Sequence, residues 1–407
     1  MDSHRALSSR IVRLACASLL LLAFAVPALA QGGTAAPRPA SILDDFQFQE
    51  ETRKGLGYLY NMDFAAADAT FSVIADRHPD HPASPFLQAL VPWWTIQLEP
   101  GDESQDEAFL AAMDRVLEIS EARLEAAPND IDALFFKSGA HAFRGRLHSD
   151  RSRWLKAARD GQQALKYLQK VAERDPQNED LYFGLGTFHY MADVIPKKYK
   201  MLRPFARLFP KGDRERGFRE LDRAMTRGRF VPTEVAWTLV QINYVFEHDF
   251  AQTLRYAQWL RQRHPDNALF HLYEGRAFER LGRLGDATRV FQEVAGRHAT
   301  GQTGYTDAIA EQALYVLSRV EMQRRMYPQA LGHLERLETL MARRPVNTEY
   351  RALGRLRRGM ALDVLGRRPE AVRCYKDVVG MKHDRARDWA KGYLKKPFQD
   401  PVARAAK

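Results

Sequence analysis

Residues 275–291 read GRAFERLGRLGDATRVF, and the spacing of the small and large residues in this stretch is the main evidence for the type of fold. Gly275 is followed after twelve positions by Ala287 and, four positions further on, by Phe291. Two antiparallel helices approach most closely at one crossing point, where only small side chains fit, and a large side chain one turn later fills the space beside it. A glycine, Gly282, stands where the first helix should end. The stretch therefore predicts a helix-turn-helix unit.

The same spacing recurs along the chain. The best copies are Gly55/Ala67/Phe71, Gly275/Ala287/Phe291 and Gly359/Ala371/Tyr375, with a weaker copy at Ser318/Ala330/Leu334. In the middle of the chain the steps are longer, because Gly139 precedes Ala164 by 25 residues and Gly186 precedes Gly217 by 31. From Asp44 onward the apolar residues recur with helical periodicity. We therefore predict an all-α, right-handed superhelical solenoid of about eight antiparallel helix pairs, with insertions in the turns of the central pairs.

Each pair can bury its apolar stripe only against its neighbours, so the large apolar residues of the repeats form the predicted core. They are Tyr58, Phe71, Ile74, Phe86, Trp93, Phe135, Tyr182, Trp237, Tyr244, Phe278, Phe291, Leu314 and Tyr375.

This spacing resembles the tetratricopeptide repeat (TPR), a helix-turn-helix unit of 34 residues with small residues at the crossing. The resemblance implies a scaffold without catalytic activity that binds a protein or peptide on the concave face lined by successive first helices. Residues 194–196 and 211–218 are also similar to the central region of the eukaryotic tetratricopeptide repeat protein 39 and inclusion body clearance family, a set of non-enzymatic repeat proteins linked to lipid and aggregate handling. That second resemblance implies a turn at Gly212, a helix cap at Asp213 and close packing at Gly217.

The composition excludes several classes of protein. The chain has 407 residues, of which 45% are hydrophobic and 28% charged, and its mean hydropathy of −0.44 excludes a polytopic membrane protein. Metalloprotease, serine hydrolase and phosphate-loop motifs are missing from the sequence, so we predict no catalytic residue, no cofactor and no metal site. The net charge of +10 favours acidic partners. Nucleic acid is not among the predicted partners, because no recognition motif accompanies that charge.

The first thirty residues have the form of an export signal. Three arginines precede an apolar run from Leu14 to Val26, and Ala28-Leu29-Ala30 has the small-x-small pattern that a signal peptidase accepts. We expect cleavage after Ala30. The two cysteines are Cys16, inside the leader, and Cys374, so the mature chain can form no internal disulfide. Export with almost no cysteine favours a bacterial periplasmic or secreted protein.

The predicted organisation has five parts. They are a cleaved signal peptide over 1–30, a flexible lead-in over 31–43, N-terminal repeats with the central insertions over 44–230, C-terminal repeats over 231–382 and a basic tail over 383–407.

Residues 197–219 hold nine basic side chains against Asp213 and Glu215, with apolar residues between them. Such a segment can lie on an anionic membrane surface or bind an acidic partner. Alternatively, its apolar side fills the space left by the insertion while the cationic heads stay solvated. The candidate lipid- or anion-binding residues are Lys197, Lys198, Lys200, Arg203, Arg207 and Lys211.

Two histidines in the central region, His141 and His148, lie seven residues apart and close to Asp150. A structural metal site needs about four such ligands. We therefore interpret the two histidines as solvent-facing residues near a helix end and predict no metal there.

The functional hypothesis is a non-enzymatic TPR scaffold that mediates protein–protein interaction in the bacterial envelope. The candidate partner-binding residues are polar residues of first helices, namely Lys54, Arg276, Glu279, Arg355 and Arg358. The alternative hypothesis is a peripheral membrane protein that docks on anionic lipid through residues 197–219.

Overall fold

The computed structural model describes residues 41–199, 210–343 and 349–400. Across these ranges every regular element is helical. The chain divides between Asp266 and Asn267 into two compact units, unit 1 before the division and unit 2 after it.

Unit 1 opens with a short 3-10 turn, Ile42–Asp44, and ends with two helices that a π-helical segment, Asn243–Glu247, connects. Its helices are α1 (Phe46–Tyr60), α2 (Phe64–Arg77), α3 (Ala83–Gln88), α4 (Leu90–Leu98), α5 (Asp106–Ala126), α6 (Ile131–Asp150), α7 (Trp154–Arg174), α8 (Leu181–Lys198), α9 (Arg214–Arg227), α10 (Pro232–Ile242) and α11 (Phe250–Arg263).

Unit 2 continues the alternation of first and second helices. Its helices are α12 (Ala268–Arg280), α13 (Leu284–Ala299), α14 (Asp307–Gln323), α15 (Tyr327–Arg343), α16 (Glu349–Val364), α17 (Arg368–Gly380) and α18 (Asp384–Lys395). In both units neighbours in sequence pack together as pairs, from α1/α2 to α16/α17, while α3, α4 and α5 form a less regular group after the first pair. The predicted all-α fold of about eight helix pairs is confirmed.

Aspartates define where many of these helices begin. Asp63, Asp130, Asp213 and Asp249 each accept a hydrogen bond from the amide three residues later, at 2.9 to 3.1 Å. Such a side chain satisfies one of the amides that the first helical turn leaves without a partner. The cap predicted at Asp213 is therefore confirmed.

In six helix pairs the turn has one residue in the left-handed region, seven positions after the residue at the crossing point of the first helix. In unit 2 the residues are Gly282, Arg325 and Gly366, with φ of 73°, 62° and 75°. In unit 1 the same conformation occurs at Met62, Ser152 and His248. A residue of this conformation ends a helix by turning the chain back on itself. The repeat therefore extends to pairs in which glycine is missing from the turn.

The predicted crossings are confirmed in the three best copies. A Cβ atom added at Gly275 would lie 2.9 Å from the ring of Phe291, and one added at Gly359 would lie 2.6 Å from the ring of Tyr375. At Gly55 it would collide with the ring of Phe71. The aromatic side chain of each second helix thus rests directly on the glycine of the first.

The crossing of α6 and α7 differs from the one expected. Gly139 faces Phe86 of α3, not α7. The close approach is at Gly145, where an added Cβ would lie 3.3 Å from the carbonyl oxygen of Ala157 and 3.4 Å from the amide of Gly161. Gly145, Ala157 and Gly161 keep the ordinary spacing of twelve and four, so the extra residues of this pair lengthen its helices and not its turn.

The α8/α9 pair has the close contact that its glycines predict. An added Cβ at Gly186 would lie 2.9 Å from the carbonyl oxygen of Gly217, and one at Gly217 would lie 2.6 Å from the amide of Tyr190. The two helices therefore touch backbone to backbone. The connection between them, which carries the predicted insertion, lies partly outside the described residues.

The predicted core is largely confirmed. Four of its members, Tyr58, Phe86, Phe135 and Tyr182, are only half-buried. The buried members are Phe71, Ile74, Trp93, Trp237, Tyr244, Phe278, Phe291, Leu314 and Tyr375.

Both ends of the described chain are bonded to the helices. At the N-terminal end the amide of Ile42 donates to Asp132 of α6 at 2.8 Å. Burial disfavours the Asp132 carboxylate, but hydrogen bonds from His81, Ile42 and Ser41 outweigh it and lower the pKa of Asp132. At the other end the amide of Phe398 donates to Asp363 at 2.8 Å.

Candidate functional site

The first helices of unit 2 form a continuous row. α12 contacts α14, α14 contacts α16 and α16 contacts α18, so side chains from successive pairs meet along one side. We call the polar and aromatic side chains that meet there the inner row. Its members are Arg276 and Glu279 of α12, Gln312, Tyr315 and Arg319 of α14, and Tyr350 and Arg357 of α16.

Hydrogen bonds connect the inner row from one pair to the next. The Arg276 guanidinium contacts the side-chain oxygen of Gln312 and donates to the hydroxyl of Tyr350 at 3.3 Å. Glu279 forms an ion pair with Arg319. Both residues predicted on α12, Arg276 and Glu279, therefore lie in the inner row.

Aromatic rings and a guanidinium form the other half of the row. The rings of Tyr315 and Tyr350 are 5.2 Å apart. Arg357 donates to the Tyr315 hydroxyl at 3.2 Å, and its guanidinium lies 5.4 Å from the centre of that ring. Planar guanidinium and tyrosine side chains offer both apolar area and hydrogen bonds, a combination enriched at protein interfaces.

The remaining predicted residues of α16 point elsewhere. Arg355 pairs with Glu338 of α15 at 2.7 Å and with Asp377 of α17 at 2.5 Å. Burial opposes the charge of Arg355, but the hydrogen bonds to those two carboxylates raise its pKa above the ordinary value. Arg358 also pairs with Glu338, at 2.8 Å. These two arginines join α16 to the second helices.

In unit 1, side chains of α1 and α4 pack against α10 and against His264, which follows α11. The indole of Trp94 donates to Glu234 at 3.3 Å, and its ring lies 6.5 Å from that of Trp237. The ring of Tyr60 lies 5.1 Å from that of His264. Trp94 is fully buried, so large side chains fill this side of unit 1.

The Glu234 carboxyl is the most perturbed acid of that cluster. Burial raises its pKa to about 7, although hydrogen bonds from Trp94 and Tyr60 act in the opposite direction. Lys54, the remaining predicted residue, lies outside this cluster: it is exposed on α1, with its ammonium 5.9 Å from the ring of Tyr58.

The basic segment is only partly within the described residues. Lys197 pairs with Asp193 at 2.6 Å, Lys198 donates to the carbonyl oxygen of Val245 at 2.6 Å, and Lys211 is exposed. The predictions at Lys200, Arg203 and Arg207 lie outside the described residues. The lipid-binding interpretation of this segment stays a prediction. Within the described ranges, no helix is both long enough and apolar enough to cross a membrane.

The expectation that His141 and His148 face solvent is wrong. Both are buried and meet at Asp160 of α7, at 2.8 Å for His141 and 3.6 Å for His148. Asp150, the predicted neighbour, pairs instead with Arg146. In the described part of the chain no three His, Cys, Asp or Glu side chains are grouped to hold a metal ion.

Sequence reasoning missed Tyr350 and Arg357 of the inner row and all three of its α14 residues. The α14 residues are Gln312, Tyr315 and Arg319. Gln312 and Tyr315 stand six and three positions before the small residue Ser318, and Arg319 stands one position after it. With this spacing the three side chains share one face of α14. Arg276 follows Gly275 in the same way. Counting from the small residue of each first helix would have found the α14 residues.

Comparison with known proteins agrees with the repeat. The model of the tetratricopeptide repeat family matches residues 243–302. No curated protein matches the chain. Among solved structures, the chain is similar to a tetratricopeptide repeat protein from Parabacteroides merdae, with 12% identity over 77% of this chain and 98% of that one and a TM-score of 0.32. It is also similar to yeast Tom70, with 11% identity over 89% and 91% of the two chains and a TM-score of 0.39.

At these TM-scores the two likenesses carry no conclusion about what the chain binds. The family match, the recurring spacing and the consecutive helix pairs agree with one another. Residues 243–302 match the tetratricopeptide repeat family, and the chain has the fold of consecutive helix pairs, which suggests a protein–protein interaction scaffold.

Proposed function

We propose that this chain is an exported, non-enzymatic scaffold of the bacterial envelope that binds a protein or peptide on the inner row of unit 2. The observation that carries the proposal is the inner row itself, where arginine and tyrosine side chains from three successive first helices meet. The export signal over 1–30 supports the location.

The partner is assigned to unit 2 because the corresponding side of unit 1 is occupied. There Tyr60, Trp94 and Trp237 pack against one another or against neighbouring rings. In unit 2 the side chains of Gln312, Tyr350 and Arg357 are half-buried and present polar atoms. A half-buried row of this kind can exchange part of its solvent contact for a partner's backbone and side chains.

Site-specific photocrosslinking tests the proposal. A photoreactive phenylalanine is placed at Gln312 or Arg357 of the inner row, and in matched controls at Arg373 or Lys376, which are exposed on the second helix α17. We expect one saturable protein adduct from envelopes of the native host with the inner-row probes only.

A second variant links the adduct to the row. Arg357→Glu, introduced into the Gln312 probe, should abolish the adduct, because it reverses the charge that rests on Tyr315. An adduct formed equally from the α17 positions, or no adduct from the inner row, would contradict the proposed site.

A further inference from the structure

Three lysines converge on one tyrosine ring in unit 1. The ammonium of Lys137, from α6, lies 4.7 Å from the centre of the Tyr167 ring. Those of Lys166 and Lys170, both from α7 like Tyr167 itself, lie 5.5 Å from the same centre. We call these four side chains the lysine cluster.

The positive charge of the cluster is incompletely matched. Lys137 is in contact with Glu121 of α5, a carboxylate whose side chain is 60% exposed. Within the described ranges, neither Lys166 nor Lys170 forms an ion pair. Burial, and then repulsion by Lys166 and Lys170, lower the pKa of Lys137. Three cations therefore surround one ring with a single, mostly solvated carboxylate beside them.

Nearby carboxylates are already engaged by other cations. Asp160 is paired with His141, His148 and Arg144, and Asp114 with Arg144. Glu173, three positions after Lys170 on α7, pairs with its sequence neighbour Arg174. An anion from outside the chain is thus what would relieve the repulsion among the lysines.

The platform beneath the lysines is rigid. Tyr167 packs against the buried cluster that contains Leu165 and Leu168. The ring of His141 lies parallel to it, with an interplanar angle of 2° and 6.0 Å between centres. His141 is itself held by Asp160 at 2.8 Å. The ring and the stem of Lys137 are consequently fixed before any ligand arrives, which reduces the entropy lost on binding.

We propose that the lysine cluster binds an acidic segment of a partner protein, at a surface separate from the inner row. Lysine ammoniums are flexible point charges, which suit carboxylates distributed along a chain. A single phosphate is more often held by an arginine fork or by backbone amides. Lys166 is exposed and Lys170 half-buried, so successive acidic side chains of one segment can reach these two lysines. The buried Lys137 adds its charge from beneath the surface.

Fluorescence anisotropy with a labelled hexaglutamate peptide tests the proposal on the mature full chain, with hexaglutamine as the neutral probe. Lys166→Gln/Lys170→Gln removes the two lysines without an ion pair and leaves the buried Lys137 in place. Its matched control is Lys156→Gln/Arg159→Gln, which removes two exposed charges from the opposite end of the same helix. We expect about tenfold weaker binding for the first variant and less than about twofold for the control.

Three results would overturn the proposal. The first is that the parent chain binds hexaglutamate no better than hexaglutamine. The second is that both double variants weaken binding equally. The third is that inorganic phosphate displaces the peptide whereas chloride of the same ionic strength does not. The last result would assign the cluster to a phosphoryl group instead. Because the cluster lies in unit 1, crosslinking from the inner row of unit 2 is expected to persist in the Lys166→Gln/Lys170→Gln variant, so the two proposals can fail separately.

Discussion

At the scale of single residues, two glycines of α1 have opposite surroundings. A Cβ added at Gly55 would collide with the ring of Phe71, whereas one added at Gly57 would meet nothing within 4 Å. Gly55→Ala should therefore destabilise the chain by about 1–3 kcal/mol through overpacking. Gly57→Ala should stabilise it by about 0.5–1 kcal/mol, because alanine favours the helix. Urea denaturation of both variants measures the difference, and equal effects would show that the crossing is not tight.

The half-buried Glu234 predicts a pH dependence. Its pKa is about 7 in the folded chain, against 4.5 ordinarily. Between these values the folded chain keeps a proton that the unfolded chain has lost, so the free energy of unfolding falls as the pH rises through this window. Below pH about 4.5 the contribution of Glu234 to the free energy of unfolding is constant, and above pH about 7 that contribution is fully lost.

Glu234→Gln should remove that dependence. Between pH about 4 and about 8 we expect the parent to lose roughly 2 to 4 kcal/mol more than the variant. Burial also raises the pKa of Asp150 to about 6 and lowers that of His264 to about 4. Both groups titrate in the two proteins alike, so the difference between the two denaturation curves isolates Glu234. Parallel curves would mean that Glu234 does not titrate in this range.

At the scale of elements, α12 depends on its cap. The side chain of Asn267 accepts hydrogen bonds from the amides of Leu269 at 3.1 Å and Phe270 at 3.2 Å. Asn267 is fully buried. Asn267→Ala would leave those amides without that partner and away from water, and should cost about 1–2 kcal/mol. Asn267→Ser keeps a capping oxygen and should recover about half of the loss, as chemical denaturation would show.

The elements also show where sequence reasoning succeeds. The pairs with an aromatic residue at the large position, such as Gly359 with Tyr375, were found from spacing alone, and the structure confirms their crossings. The α6/α7 crossing was misplaced because Gly161 stands where the aromatic residue would be. The turn still reveals the register, since Ser152 adopts φ of 59° seven positions after Gly145.

At the scale of the whole molecule, the export signal predicted over residues 1–30 can be tested directly. Expressed with its leader in a Gram-negative host, the chain should be recovered from the periplasm with Gln31 as its first residue. Ala30→Arg should block cleavage, because a signal peptidase needs a small residue there. Leu29→Arg is the matched control, since a signal peptidase tolerates large side chains at the position just before Ala30. Intact-mass measurement distinguishes the forms, and an uncleaved parent would refute the predicted signal.

The fold class, the repeat and the caps could be predicted from the sequence, because each depends on residues within one helix pair. A small residue on the first helix and the large residue sixteen positions later on the second must meet whenever both helices form, as Gly275 and Phe291 do. The assignment of polar side chains needed the tertiary structure. Whether Arg355 faces a partner or Asp377 depends on how three helices rotate about their axes.

The same reason explains the lysine cluster and Glu234. Lys137 and Lys170 lie on different helices, and Glu234 is 140 positions from its donor Trp94. Helical periodicity places each residue on a face, but only packing decides which faces meet and how far they are buried. Ion pairing and pKa depend on that burial, so they were decided by the tertiary structure alone.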